Sequence, residues 1–404
     1  MWRVNMISRS LALKLFEGFF IQRWNDFPRP INLTEMDKSS HKMLVAYLLG
    51  KIEEEVGNEI EWEKVILGSL FELLKKIALS DIKAPVHRRI KEKYPEEFKN
   101  LNNWVLKQYE GLIDDENLLH TFREYMVEKE NMDDLSFKIL RAAHKYSTYR
   151  EFQLIKNYSL NPRRILDVHT ELNRDLVDFL DLRGIQLLMS EQDPYGFMAD
   201  VEQLRFQVRW SETLRIPSTS VLGHSYFVAC LTFLIGMELN PCPKRAYNNF
   251  FCGLFHDMPE AVTRDIVQPV KHATEGLPEV IKDIENIIVE EQLIPKMLPI
   301  FKDELLYFTR DNFSNRVIIN GKTFIVSSDE LADKYNSNEF SPVDGEIIKL
   351  CDEIAALLEA DQSIAHGVTS ENLREGKSRI LDICRRRKRV SGIDMRPFFR
   401  EFQN

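Results

Sequence analysis

Two stretches of this chain can be laid on one another, and their pairing constrains the fold more than any composition does. Phe71–Val86 reads FELLKKIALSDIKAPV, and Phe255–Val270 reads FHDMPEAVTRDIVQPV. Phe71 falls on Phe255, Asp81 on Asp265, Pro85 on Pro269 and Val86 on Val270. Upstream, Arg23-Trp24 pairs with Arg209-Trp210, and His41 in SSHKMLVAYLL pairs with His224 in LGHSYFVACLTFL. Downstream, Ile139–His144 pairs with Ile347–Asp352 once an insertion is allowed in the second copy. Amphipathic helices share apolar spacing in any case. The Arg-Trp and Asp-Ile-x-x-Pro-Val landmarks are not helical patterns, so they carry the inference of a duplicated domain.

Apolar residues recur at three- and four-residue spacing over His41–Glu55, Trp62–Ser80, Leu135–Lys156, Ile165–Leu188, Ser225–Leu239, Lys244–His256, Leu277–Met297 and Gly345–Ala360. That period predicts helices packed by one face. The one clear strand signal is Arg316–Val326, where Asn320-Gly321 between two β-prone runs predicts a two-residue hairpin turn. The expected fold is mainly α: two tandem all-helical domains with a small β-hairpin decorating the second. Residues 1–165 form the first domain, 166–203 a helical linker, and 204–404 the second domain.

The formal net charge of -9 disfavours a general nucleic-acid binder. The run Arg385-Arg386-Arg387-Lys388-Arg389 reads as a solvated helix end. The five cysteines form no CxxC pair, so neither a thiolate metal site nor a disulfide framework is expected. No uninterrupted apolar run reaches the length of a membrane span, and the N-terminus lacks the apolar core and cleavage site of a signal peptide. The expected location is cytoplasmic, without a membrane partner.

The two copies differ where chemistry would sit. Glu72-Leu73 stands opposite His256-Asp257, Lys76 opposite Glu260, and His144 opposite Asp352. The first copy therefore keeps an apolar frame without a full metal site. In the second copy, His224, the adjacent His256-Asp257 pair and Asp352 come from three separate helical segments that could converge on one ion. Two imidazoles and two carboxylates favour Mn, Co, Fe, Ni or Zn over a thiolate-type site. Glu260 follows the His-Asp pair closely enough to orient or deprotonate a water, or to protonate a leaving group. Pro259 leaves open whether a helix continues there or a turn forms.

The order His224, His256-Asp257, Asp352 resembles the HD superfamily of metal-dependent phosphohydrolases. It is closest to the bacterial 5'-deoxynucleotidase branch, which carries an Arg-Trp pair ahead of the first His, an HDxxE-x(4)-D core and a Pro-Val-Lys just after. This chain reads Arg209-Trp210, HDMPEAVTRD and Pro269-Val270-Lys271. The resemblance covers residues 204–375 closely and 18–160 as a degenerate echo.

It implies that His224, His256, Asp257 and Asp352 hold one divalent ion, with Glu260 and Asp265 catalytic. Arg209 and Lys271 would hold phosphate, and Trp210 would pack near a deoxyribose. The implied activity releases phosphate from a nucleotide, a 5'-deoxynucleoside monophosphate. A deoxynucleoside triphosphate hydrolase or another phosphohydrolase of the HD superfamily, and a non-catalytic metal- or nucleotide-binding regulator, are the alternatives, and self-association is left open. Three departures bear on the substrate: Gly223 stands before the first His where the family commonly has an acid, Lys302–Asp344 is long, and the N-terminal copy is additional.

Overall fold

The computed structural model describes residues 7–80, 82–128, 134–264, 266, 270, 273–387 and 389–402. Six long helices frame it. In the first half they are α1 (Glu35–Glu55), α2 (Trp62–Leu79) and α3 (Leu135–Ile155). In the second half they are α4 (Val221–Gly236), α5 (Pro243–Phe255) and α6 (Gly345–Ala365). Within each half the first of the three packs on the other two, and α1 packs on α4 across the middle. One apolar core runs through both halves, from Phe16 and Phe19 through Tyr47 to Phe227 and Phe251.

The expected mainly α fold is borne out. The only named strands among the described residues are Arg316–Ile319 and Lys322–Ile325, paired antiparallel. Asn320 and Gly321 turn between them with φ of 51° and 75°, the left-handed pair a tight hairpin requires.

Elements depart from the sequence pattern where tertiary contacts decide. The helix expected over Ile165–Leu188 is two, Pro162–Val177 and Arg183–Met189. The break lets the second lie on α1, where Gly184 comes so close that an added Cβ would stand 2.5 Å from Leu49. The helix expected over Leu277–Met297 stops at Ile288 and unwinds through a π turn, Val289–Leu293. α4 is buried at every position because α1, α5 and α6 cover it from different sides. By length and composition Val221–Leu239 is apolar enough to cross a membrane, with a hydropathy of 1.4, yet 89% of that window is buried inside the fold.

Candidate metal centre

The start of α4 fixes the first imidazole. Ser220 is the N-cap, its hydroxyl accepting from Gly223 N, and the chain turns into the helix with His224 in its first turn. A side chain at 223 would meet Phe19 at 2.8 Å and Asp37 Oδ1 at 3.0 Å, so glycine is what leaves room for the first half here. That explains the missing acid: Asp37 of α1 brings a carboxylate to the same place and accepts a hydrogen bond from Ser220.

α5 delivers the second imidazole. It ends at Phe255, and His256 Nδ1 donates to the carbonyl of Gly253, 2.8 Å away. That bond fixes the tautomer and leaves the Nε2 lone pair facing Asp257. Gly253 also sets the distance between the imidazoles, since an added Cβ would stand 2.9 Å from Ala229 Cα of α4.

His224, His256 and Asp257 offer ligand atoms all within 4.8 Å of one another. His256 Nε2 lies 3.2 Å from Asp257 Oδ2, and His224 Nε2 lies 3.8 Å from the same oxygen. Asp352, from the middle of α6, places Oδ1 3.0 Å from His224 Nε2. The fit to a cation is tested by what these atoms lack. His224 Nε2, His256 Nε2 and Asp257 Oδ2 are buried without a hydrogen-bond partner. Most buried polar atoms in proteins are satisfied, and although this chain has other orphans, the convergence of these three on one point suits a divalent ion of the imidazole- and carboxylate-binding class.

The surrounding charges act in opposite senses on the two imidazoles. Burial and the neighbouring Arg209 charge lower the His224 imidazole, keeping it neutral. Burial pulls His256 the same way, but the Asp257 carboxylate outweighs it and raises the ring. Asp257 and Asp352 are both held below the ordinary carboxylate range, burial being outweighed by the two histidines and Arg209.

Glu260 does not lie on a continuing helix. Tight turns follow α5, Met258 N to Phe255 O and Glu260 N to Asp257 O, before the short helix Glu260–Thr263. Gln207 donates to the Glu260 carbonyl at 2.7 Å, tying this turn to the Arg-Trp loop. Asp265 and Lys271 lie outside the described residues.

Arg209 points its guanidinium at the donors. Nη1 is 3.6 Å from Asp257 Oδ2 and Nη2 is 3.7 Å from Asp352 Oδ1. Trp210 has φ of 53°, donates through Nε1 to Glu359 at 3.0 Å, and sets its ring edge where a Cβ on Gly376 would be 2.8 Å away. Glu359 is the residue the sequence reading missed. It also accepts from Thr219 Oγ1 at 2.7 Å and meets Arg209 Nε at 3.3 Å.

The first half repeats this framework without the donors. Trp24 has φ of 56°, and Glu151 accepts from Arg23 Nε at 3.0 Å and from Trp24 Nε1 at 2.9 Å. Gln22 bridges Thr34 as Val208 bridges Ser220, and Thr34 and Ser220 are both N-caps. That shared cap sets a register in which Lys38, not His41, stands opposite His224. His41 lies a turn further on in the core, bonded to Ser147 at 2.9 Å and 3.4 Å from Glu202. Lys38 donates to the His144 carbonyl at 2.6 Å, and Lys42 pairs with Glu72 at 2.7 Å. Lysine side chains thus occupy the neighbourhood that an ion would need.

Residues 201–381 match the family model described as HD domain. No curated protein matches the chain. The matched segment contains His224, His256, Asp257, Glu260 and Asp352, and HD domains are typically metal-dependent hydrolases.

Proposed function

We propose, from the place of residues 201–381 in the HD-domain superfamily, that this chain hydrolyses a nucleotide phosphomonoester, a 5'-deoxynucleoside monophosphate, at the site around His224, His256, Asp257 and Asp352. The observation that carries the phosphate reading is the Nη edge of Arg209. It makes no hydrogen bond among the described residues and stands 3.6 and 3.7 Å from two donor carboxylates. A guanidinium held there offers paired donors to an anion beside the donor cluster.

His224, His256, Asp257 and Asp352 would hold one divalent ion. When bound, it would lower the pKa of a water and neutralise charge on the phosphoryl group. Arg209 binds two phosphate oxygens and orients the ester. Glu260, fixed by the turn after Asp257, takes a proton from the attacking water or returns one to the leaving sugar oxygen. Trp210 is half-buried and presents the part of its ring not packed on Gly376 toward the sugar. The first half is read as a copy that kept the framework and lost the donors.

Elemental analysis of the purified protein should find one transition ion per chain. A phosphate-release screen over nucleotides with Mn, Co and Mg should show a deoxynucleoside monophosphate as the best substrate. Release of triphosphate instead of phosphate would assign the other hydrolase class, and bound metal without hydrolysis across the panel would make the chain a regulator. Asp257→Ala should lose both metal and turnover; normal turnover in that variant refutes the mechanism.

A further inference from the structure

Glu359 holds no place in the donor set, yet both ends of the Arg-Trp loop are fastened to it. Its side chain is 1% exposed. One oxygen accepts from Trp210 Nε1 at 3.0 Å and Arg209 Nε at 3.4 Å. The other accepts from Thr219 Oγ1 at 2.7 Å, with Arg215 Nη1 3.7 Å away. A guanidinium gripped at Nε has its opposite edge, Nη1 and Nη2, left to face outward.

The first half shows what the grip does and does not decide. Glu151 holds Arg23 at Nε and Trp24 at Nε1 as Glu359 does, and also takes Arg23 Nη2 at 2.9 Å, so the clasp exists, tighter, without a donor set. There the other edge is spent: Arg23 Nη1 bonds to Glu35 at 2.7 Å. The register of the two N-caps puts Val221 where Glu35 stands, and Val221 is wholly buried and has nothing to offer a guanidinium. The second half therefore keeps the clasp and removes the competing carboxylate.

We propose that Glu359 is a positioning residue for anion recognition: by holding Arg209 at Nε and Trp210 at Nε1, it presents both Nη groups of Arg209 to the phosphate. This rests on the reading of the site as a phosphohydrolase. Without the grip, the guanidinium is free to swing away from the phosphate position and the paired donors are lost, while α4, α5 and α6 still place the four donor side chains; His224 Nδ1 lies 3.8 Å from Glu359, beyond hydrogen-bond distance.

The test compares Glu359→Gln with wild type in the manganese-loaded full chain. The measurements are manganese content, KM, kcat, and the Kd of inorganic phosphate by titration calorimetry. KM and the phosphate Kd should each rise at least tenfold, with metal content and kcat within threefold. Glu151→Gln, which opens the same clasp in the first half, should leave KM and the phosphate Kd within twofold. If Glu359→Gln does not accumulate as folded protein, Thr219→Val removes one donor to the carboxylate and should raise KM at least threefold. KM within twofold of wild type in the folded variants overturns the proposal. Loss of manganese in step with activity also overturns it, as does an equal rise in Glu151→Gln. A wild-type chain that binds no metal or releases no phosphate refutes the functional reading instead.

Discussion

Pro259 breaks the helix that would otherwise have carried Glu260, and the tight turns in its place lead into the short helix Glu260–Thr263, where the Glu260 charge acts on Arg209. A group placed for proton transfer should be separable from one that binds the ion. Glu260→Gln should retain the metal while kcat falls by about 10²- to 10⁴-fold, the usual span for a lost general acid or base; metal content and phosphate release read the two effects apart. The His224, His256 and Asp257 cluster was foreshadowed in the sequence by the ordered set His224, His256-Asp257, Asp352, since the His-Asp dipeptide alone is a weak signal. Glu359 was not, because an acid in EIIKLCDEIAALLEADQ reads as a solvated helix face. A signal did exist: Glu359 follows Asp352 by about two helical turns, as Glu151 follows His144, and such residues share a face. The pairing of His41 with His224 failed for a related reason. Matching the histidines by identity overrode the N-cap, which is the feature that sets a helix's register.

At the scale of elements, the contact between α4 and α5 sets the separation of the two imidazoles. Gly253 sits where the helices touch, against the backbone of Ala229. Gly253→Ala must push α5 outward, and overpacking of this kind costs about 1–3 kcal/mol. Denaturant midpoints should fall accordingly, and metal affinity should fall with them because His256 lies one turn beyond Gly253; an unchanged midpoint would show that the helices slide without cost. Helix existence followed from apolar spacing almost everywhere, but helix ends did not. The helix after the break between Val177 and Arg183 packs through Gly184 on Leu49, a contact between residues far apart in sequence.

For the whole molecule, the apolar core is shared. α4 is covered on one side by α1, so residues 204–404 alone would expose that face of a wholly buried helix. Expressed without the first half, the segment should aggregate or lack cooperative unfolding, and a soluble fragment with a sharp thermal transition would refute this. The two clasps also make a common acid limit. Burial would raise Glu151 and Glu359, but Arg23 and Arg209 outweigh it and hold both at about 2, against 4.5 for the free group. Because the folded-state values are depressed, this stabilisation is complete above pH 4.5 and is lost as pH falls toward 2. Urea midpoints should drop across that window, and Glu151→Gln should flatten the drop.

The hydrogen bond from Arg23 to Glu35 has an implication for engineering. Rebuilding a working centre in the first half by installing His, His, Asp and Asp would restore a seat for an ion but no grip on substrate, because that arginine is already committed. Emptying position 35 would have to come with the ligands. In the opposite direction, on the proposed reading, Val221→Glu should give Arg209 a competing carboxylate and raise KM without changing any residue of the candidate donor set.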